Sequence, residues 1–206
     1  MSAPDLAALV GARLCHDLIS PMGAIGNGLE LLQLARTRGA EELALVNDSL
    51  ASALAKLRFY RVAFGPADPG GRQSLEAAAQ ITDAMFHGRL TVAWEGAGEL
   101  GRPEARLAYL AVLCLEKSLP MGGRLRIWHA DGALTLRVDG RRTAPPPELW
   151  AHLVDGAPLA ELKADGVQFA LLRRDLVASG RSIAARFGED AAEVGITAPA
   201  LAEARP

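Results

Sequence analysis

The string Gly65-Pro66-Ala67-Asp68-Pro69-Gly70-Gly71 divides this chain into two parts that cannot be joined by a continuous regular element. Its prolines lack the backbone N–H that helices and sheets use, and its glycines favour turns. Residues 1–65 show only helical periodicity. Leu14, Leu18, Ile25, Leu29 and Leu32 are separated by sums of three and four, so they share one stripe. Leu43, Val46, Leu50, Ala53 and Leu57 repeat the pattern, and Gly39 between the runs is expected to cap the first helix. A two-helix hairpin has a long apolar seam and only its own helices to cover it. A second copy of the chain is the simplest way to complete a four-helix bundle, as a two-fold dimer.

Residues 72–206 have a different character. Ser74 can cap a helix running to about His87, with Gly88 ending it. Leu90, Val92 and Trp94 alternate as in a strand, and a helix is expected from Pro103 to Leu119. Leu125 and Ile127, then Leu134, Leu136 and Val138, alternate on either side of Asp131-Gly132, a dipeptide suited to a tight hairpin. A short helical piece begins at Pro145-Pro146-Pro147, and a longer helix spans 167–179. Strands follow near 182–187 and 192–197. Helices layered on one sheet are the expected arrangement, so the whole chain reads as α+β, with a domain at 1–65 and another at 72–206.

Of the 206 residues, half are hydrophobic and 22% charged, an ordinary globular balance, and the net charge of −2 gives no general attraction to nucleic acid or anionic lipid. No apolar run approaches the ~20 residues that span a bilayer. Asp5 stands where a secretion signal needs basic residues, which points to a cytoplasmic protein. Cys15 and Cys114 lack the paired spacing of a zinc site and read as small buried hydrophobic residues.

The residues that could carry chemistry cluster in Leu14-Cys15-His16-Asp17-Leu18-Ile19-Ser20-Pro21-Met22. His16, Ser20, Gly23 and Asn27 recur at four, three and four, so they share a helix face, polar at its start and flat at Gly23. Such a face suits docking of another protein close to the ring. Pro21 cannot donate to the carbonyl of Asp17, so the helix is expected to bend or loosen there. Glycines at 23, 26 and 28 each cost about 1 kcal/mol of helix stability, which close approach of a partner would offset. A neutral imidazole nitrogen is a competent nucleophile. Asp17 could orient the other ring nitrogen and offset charge developing on the ring, and Ser20 could bond a phosphoryl oxygen. Phosphoryl transfer usually needs Mg²⁺, and no acidic cluster near His16 offers to hold it, so a partner would have to bring the ion.

The run ARLCHDLISPMGAIGNGLELL, from Ala12 to Leu32, resembles the H-box of sensor histidine kinases and, more specifically, the ChpT-type histidine phosphotransferases of alphaproteobacteria. The resemblance implies a homodimer in which N-terminal hairpins form a four-helix bundle. Each C-terminal domain would be an α/β sandwich like a degenerate histidine-kinase ATP-binding domain. It implies that His16 is the phosphoacceptor, Asp17 the assisting acid and Ser20 the H-box hydroxyl. Phosphate would arrive from the receiver domain of a hybrid kinase and leave to response regulator receivers, without stably bound cofactor, nucleic acid or membrane.

Three positions bear on ATP. Where kinases place a Mg²⁺-binding asparagine, before the turn at Pro120-Met121-Gly122-Gly123, this chain has Cys114, a poor ligand for a hard cation. The adenine-contacting loop is reduced to Asp139-Gly140-Arg141-Arg142-Thr143, with Asp139 expected as a turn residue. The glycine-rich lid reads Gly166-Val167-Gln168-Phe169-Ala170. An ATP-dependent histidine kinase, a receiver-docking module without transfer, and a phosphatase using Ser20 and Asp17 are the competing readings. His87, His129 and His152 lack the neighbours of His16 and read as structural. Arg141-Arg142 and Arg173-Arg174 read as solvated basic spots, one of which could help dock an acidic receiver.

Overall fold

The computed structural model describes residues 4–34 and 39–197. Two long helices, α1 (Leu6–Leu34) and α2 (Ala40–Ala63), pack against each other, but Leu29, Leu43, Leu50 and Leu57 of the expected stripes stay exposed in the single chain. Gly39, expected to cap the first helix, instead lies directly ahead of α2 as its N-cap residue, with an ordinary negative φ; residues 35–38 lie outside the described residues. Gly28 lets the helices approach closely: a Cβ placed there would stand 2.6 Å from Cγ2 of Val46. Gly23 and Gly26 face open space, so packing within the chain does not explain them.

Residues 64–71 form a loop without regular structure. Beyond it come β1 (Arg72–Ser74), α3 (Leu75–Phe86), β2 (Leu90–Glu95), β3 (Glu99–Gly101) and α4 (Arg102–Lys117). The chain continues with β4 (Gly123–Ala130), β5 (Ala133–Gly140), α5 (Pro147–Asp155), α6 (Val167–Ala178), β6 (Ser182–Phe187) and β7 (Ala191–Thr197). Ser74 caps α3 by accepting from the amide of Ala77 at 3.1 Å. Asp131 and Gly132 both take positive φ, the geometry of the tight turn expected between β4 and β5.

The main sheet has the order β2-β4-β5-β7-β6, with β2 parallel to β4 and the other neighbours antiparallel. A second, two-stranded sheet pairs β1 with β3, an addition to the single sheet expected from sequence. One core runs between the sheet and α4 and α6, and it takes in the C-terminal end of α2. There Phe59 is fully buried, edge-on to Phe86 at 5.3 Å and 4.8 Å from the ring of Tyr109. Leu6, Leu9, Val10 and Leu14 of α1 pack against the same core. This seats the first half of α1 on the mixed part of the molecule. No described helix is long and apolar enough to cross a membrane.

Candidate functional site

Consecutive residues of an α-helix point about 100° apart, and this separates the environments of His16 and Asp17. Asp17 turns toward α2. Its side chain is only 16% exposed, and its Oδ2 accepts from Nε of Arg13 at 2.5 Å and from the Tyr60 hydroxyl. His16 turns outward with 85% of its side chain exposed, and its Nδ1 lies 2.9 Å from Oδ1 of Asp17. Burial alone would raise the carboxyl pKa of Asp17. The bonds from His16, Tyr60 and Arg13, together with the Arg13 charge, outweigh burial and hold it below the ordinary 3.8. Burial and the bond to Asp17 push the Tyr60 hydroxyl well above its ordinary range, so at neutral pH it remains a donor. An ionised Asp17 favours the imidazole tautomer that carries its proton on Nδ1 and keeps a lone pair on Nε2.

The helix continues through Pro21 without interruption. Pro21 still leaves the carbonyl of Asp17 without its usual amide donor. The Lys56 ammonium, reaching across from α2, donates to that oxygen at 2.8 Å. The site therefore stands on a helix whose one missing backbone bond is replaced from the neighbouring helix.

Ser20, Gly23 and Asn27 are exposed, as is His16 on the same face. Ile19 is 72% exposed and Met22 is also exposed, so the surface beside His16 is more apolar than the spacing of polar residues indicates. Among the described residues no group of three or more His, Cys, Asp or Glu could hold a metal ion.

Cys114 is fully buried in α4, where desolvation raises its thiol pKa, whereas Cys15, expected to be buried too, is exposed beside His16 in sequence. Asp139 lies within β5 rather than in a turn, and pairs with Arg126 at 3.4 Å. Gln168, at the lid-like position, is buried and donates from Nε2 to the carbonyl of Asp165 at 3.0 Å. His87 and His129 are exposed, and Nδ1 of His152 lies 2.8 Å from the carbonyl of Ala157. Arg173 donates to the carbonyl of Leu153, tying α6 to α5, and Arg174 pairs with Asp175; Arg141 and Arg142 are exposed. A cavity of about 790 Å³ beside the 64–71 loop is lined by no α1 residue, and its guanidinium groups pair internally, Arg106 with Asp175 and Arg181 with Glu104.

Sequence reasoning did not single out Arg13, Lys56 or Tyr60. The four-residue spacing of Arg13 and Asp17 was a usable signal. Nothing local marks Lys56 or Tyr60, which meet Asp17 only through the packing of the two helices.

The family model described as histidine phosphotransferase C-terminal domain matches residues 75–191, a stretch beginning after the helical hairpin. The chain is 36% identical over 177 residues to protein phosphotransferase ChpT of Brucella abortus (strain 2308), with 82% of this chain and 83% of that one covered. A solved bacterial phosphotransferase superposes with a TM-score of 0.80 at 29% identity, covering 96% of this chain and 98% of its own.

Proposed function

Because the chain belongs to the histidine phosphotransferase family, we propose that His16 is the residue that carries its phosphoryl group. The group arrives from an aspartyl phosphate on the receiver domain of a hybrid kinase and leaves to the receiver aspartate of a response regulator. The observation that carries this reading is the division of labour on one ring. Nδ1 is bonded to Asp17 at 2.9 Å, while the ring projects into solvent with Nε2 free to react.

The Nε2 lone pair forms a bond to phosphorus as the bond from phosphorus to the partner's carboxylate oxygen breaks, and that oxygen keeps the electron pair. The ring retains its Nδ1 proton and becomes positively charged. The Asp17 carboxylate, kept ionised by Arg13 and Tyr60, offsets that charge at hydrogen-bond distance. Onward transfer reverses the electron flow: a receiver carboxylate attacks phosphorus and Nε2 recovers its lone pair. Ser20, exposed one turn along, is placed to donate to a phosphoryl oxygen. Mg²⁺ belongs to the receiver in this scheme, because the oxygens of Asp17 are committed to His16, Arg13 and Tyr60.

ATP is not the donor in this proposal. The thiol at the asparagine position is buried in the core, and the side chain at the lid position is buried and donates to the carbonyl of Asp165. The working unit is a cytoplasmic homodimer. Leu29, Leu43, Leu50 and Leu57, all on the apolar stripes, remain exposed in one chain and would be covered by a second hairpin.

The test mixes the full-length protein with a receiver domain carrying labelled aspartyl phosphate. Acid-labile label is expected on the wild type and not on His16→Ala. Labelling from ATP and Mg²⁺ alone would contradict the proposal.

A further inference from the structure

Arg13 bonds to two parts of the molecule at once. Its Nε donates to Asp17 at 2.5 Å, and its Nη1 donates to the backbone carbonyl of Asp165 at 3.1 Å, from a segment that directly precedes α6. That segment is itself held from two sides. Gln168 donates to the same carbonyl at 3.0 Å, and the Lys117 ammonium at the end of α4 pairs with the Asp165 carboxylate at 2.6 Å. A planar guanidinium bonded along two of its edges has little rotational freedom left.

A second observation points the same way. Gln168 is buried, and its Oε1 has no hydrogen-bond partner among the described residues. An unsatisfied buried acceptor is costly, and an apolar side chain of similar size would avoid that cost. The amide's one bond is the donation to Asp165, on the carbonyl that also receives Arg13.

We propose that Arg13 is a positioning residue that fixes the rotation of the Asp17 carboxylate from the 165–168 segment, so that the C-terminal part of the molecule sets the geometry of His16. With Oδ2 held by Arg13 and Tyr60, Oδ1 is the oxygen left to face Nδ1 of the ring. Tyr60 alone holds Oδ2 from one side and leaves the carboxylate free to swing about that bond. The proposal rests on the reading of His16 as phosphoacceptor.

The test compares wild type, Arg13→Gln, Arg13→Lys, Gln168→Leu and His16→Ala, all full length, with thermal melts to establish that each is folded. The rate of phosphoryl transfer from a phosphorylated receiver is measured. The His16 tautomer is read from the ¹⁵N shifts of its ring. Arg13→Gln should slow transfer about tenfold or more and deplete the Nδ1-protonated tautomer, with partial rescue by lysine. Gln168→Leu removes the orphaned acceptor and should fold at least as well as wild type, yet transfer about threefold more slowly. Wild-type rates and an unchanged tautomer in folded Arg13→Gln and Gln168→Leu, with His16→Ala unlabelled, would overturn the positioning role alone. Label retained on His16→Ala would instead remove the reading on which the proposal rests.

Discussion

Nδ1 of His16 faces Asp17 while the rest of the ring lies open to solvent, and in the proposed function that asymmetry makes the histidine a directed nucleophile. Asp17 creates it, and Asp17 is in turn held by Arg13 and Tyr60. The same contacts have a pH signature. Because its pKa is depressed in the folded protein, Asp17 contributes stability that is fully present above its ordinary value of 3.8 and is lost as pH falls through the lower folded value. The melting temperature of wild type should therefore exceed that of Asp17→Asn by a constant margin from pH 7 to about pH 5, with the gap closing below about pH 4. A margin independent of pH down to 3 would mean that the carboxylate charge is not what these contacts recognise.

Among elements, α1 carries the proposed chemistry, and its glycines divide by what surrounds them. Gly28 is a packing residue, so Gly28→Ala should destabilise the protein by about 1–3 kcal/mol in urea denaturation as the added methyl meets Val46. Gly23 has no atom within reach of a new Cβ and sits two turns from His16. Gly23→Ala should stabilise the helix by up to about 1 kcal/mol and yet slow transfer, because it raises a methyl on the docking face. Helices were the most legible elements, since their apolar spacing and the Ser74 cap are local signals. The strands β1 and β3 have three residues each, too few to display alternation, so the second sheet could not be read in advance. The candidate residues His16, Asp17 and Ser20 could be grouped from sequence because they lie within five residues of one another. Lys56 and Tyr60 could not, because they meet Asp17 only through the packing of α2 against α1.

In the whole molecule, the family match covers the mixed part while the proposed chemistry lies on the hairpin, so the proposed function draws on both. Leu6, Leu9, Val10 and Leu14 seat α1 on the shared core. The proposed dimer would cover the leucines of the hairpin that stay exposed in a single chain. Light scattering should report about twice the 21.7 kDa chain mass at micromolar concentration, and a monomer there would contradict the bundle. The proposal that His16 receives phosphate from one receiver and yields it to another is tested most directly by a pulse-chase followed by ³¹P NMR. After exposure to a phosphorylated receiver and its removal, a phosphoramidate signal at Nε2 of His16 is expected, which disappears as label appears on a second, unphosphorylated receiver. No phosphoramidate on His16, or one that a second receiver cannot discharge, would contradict it.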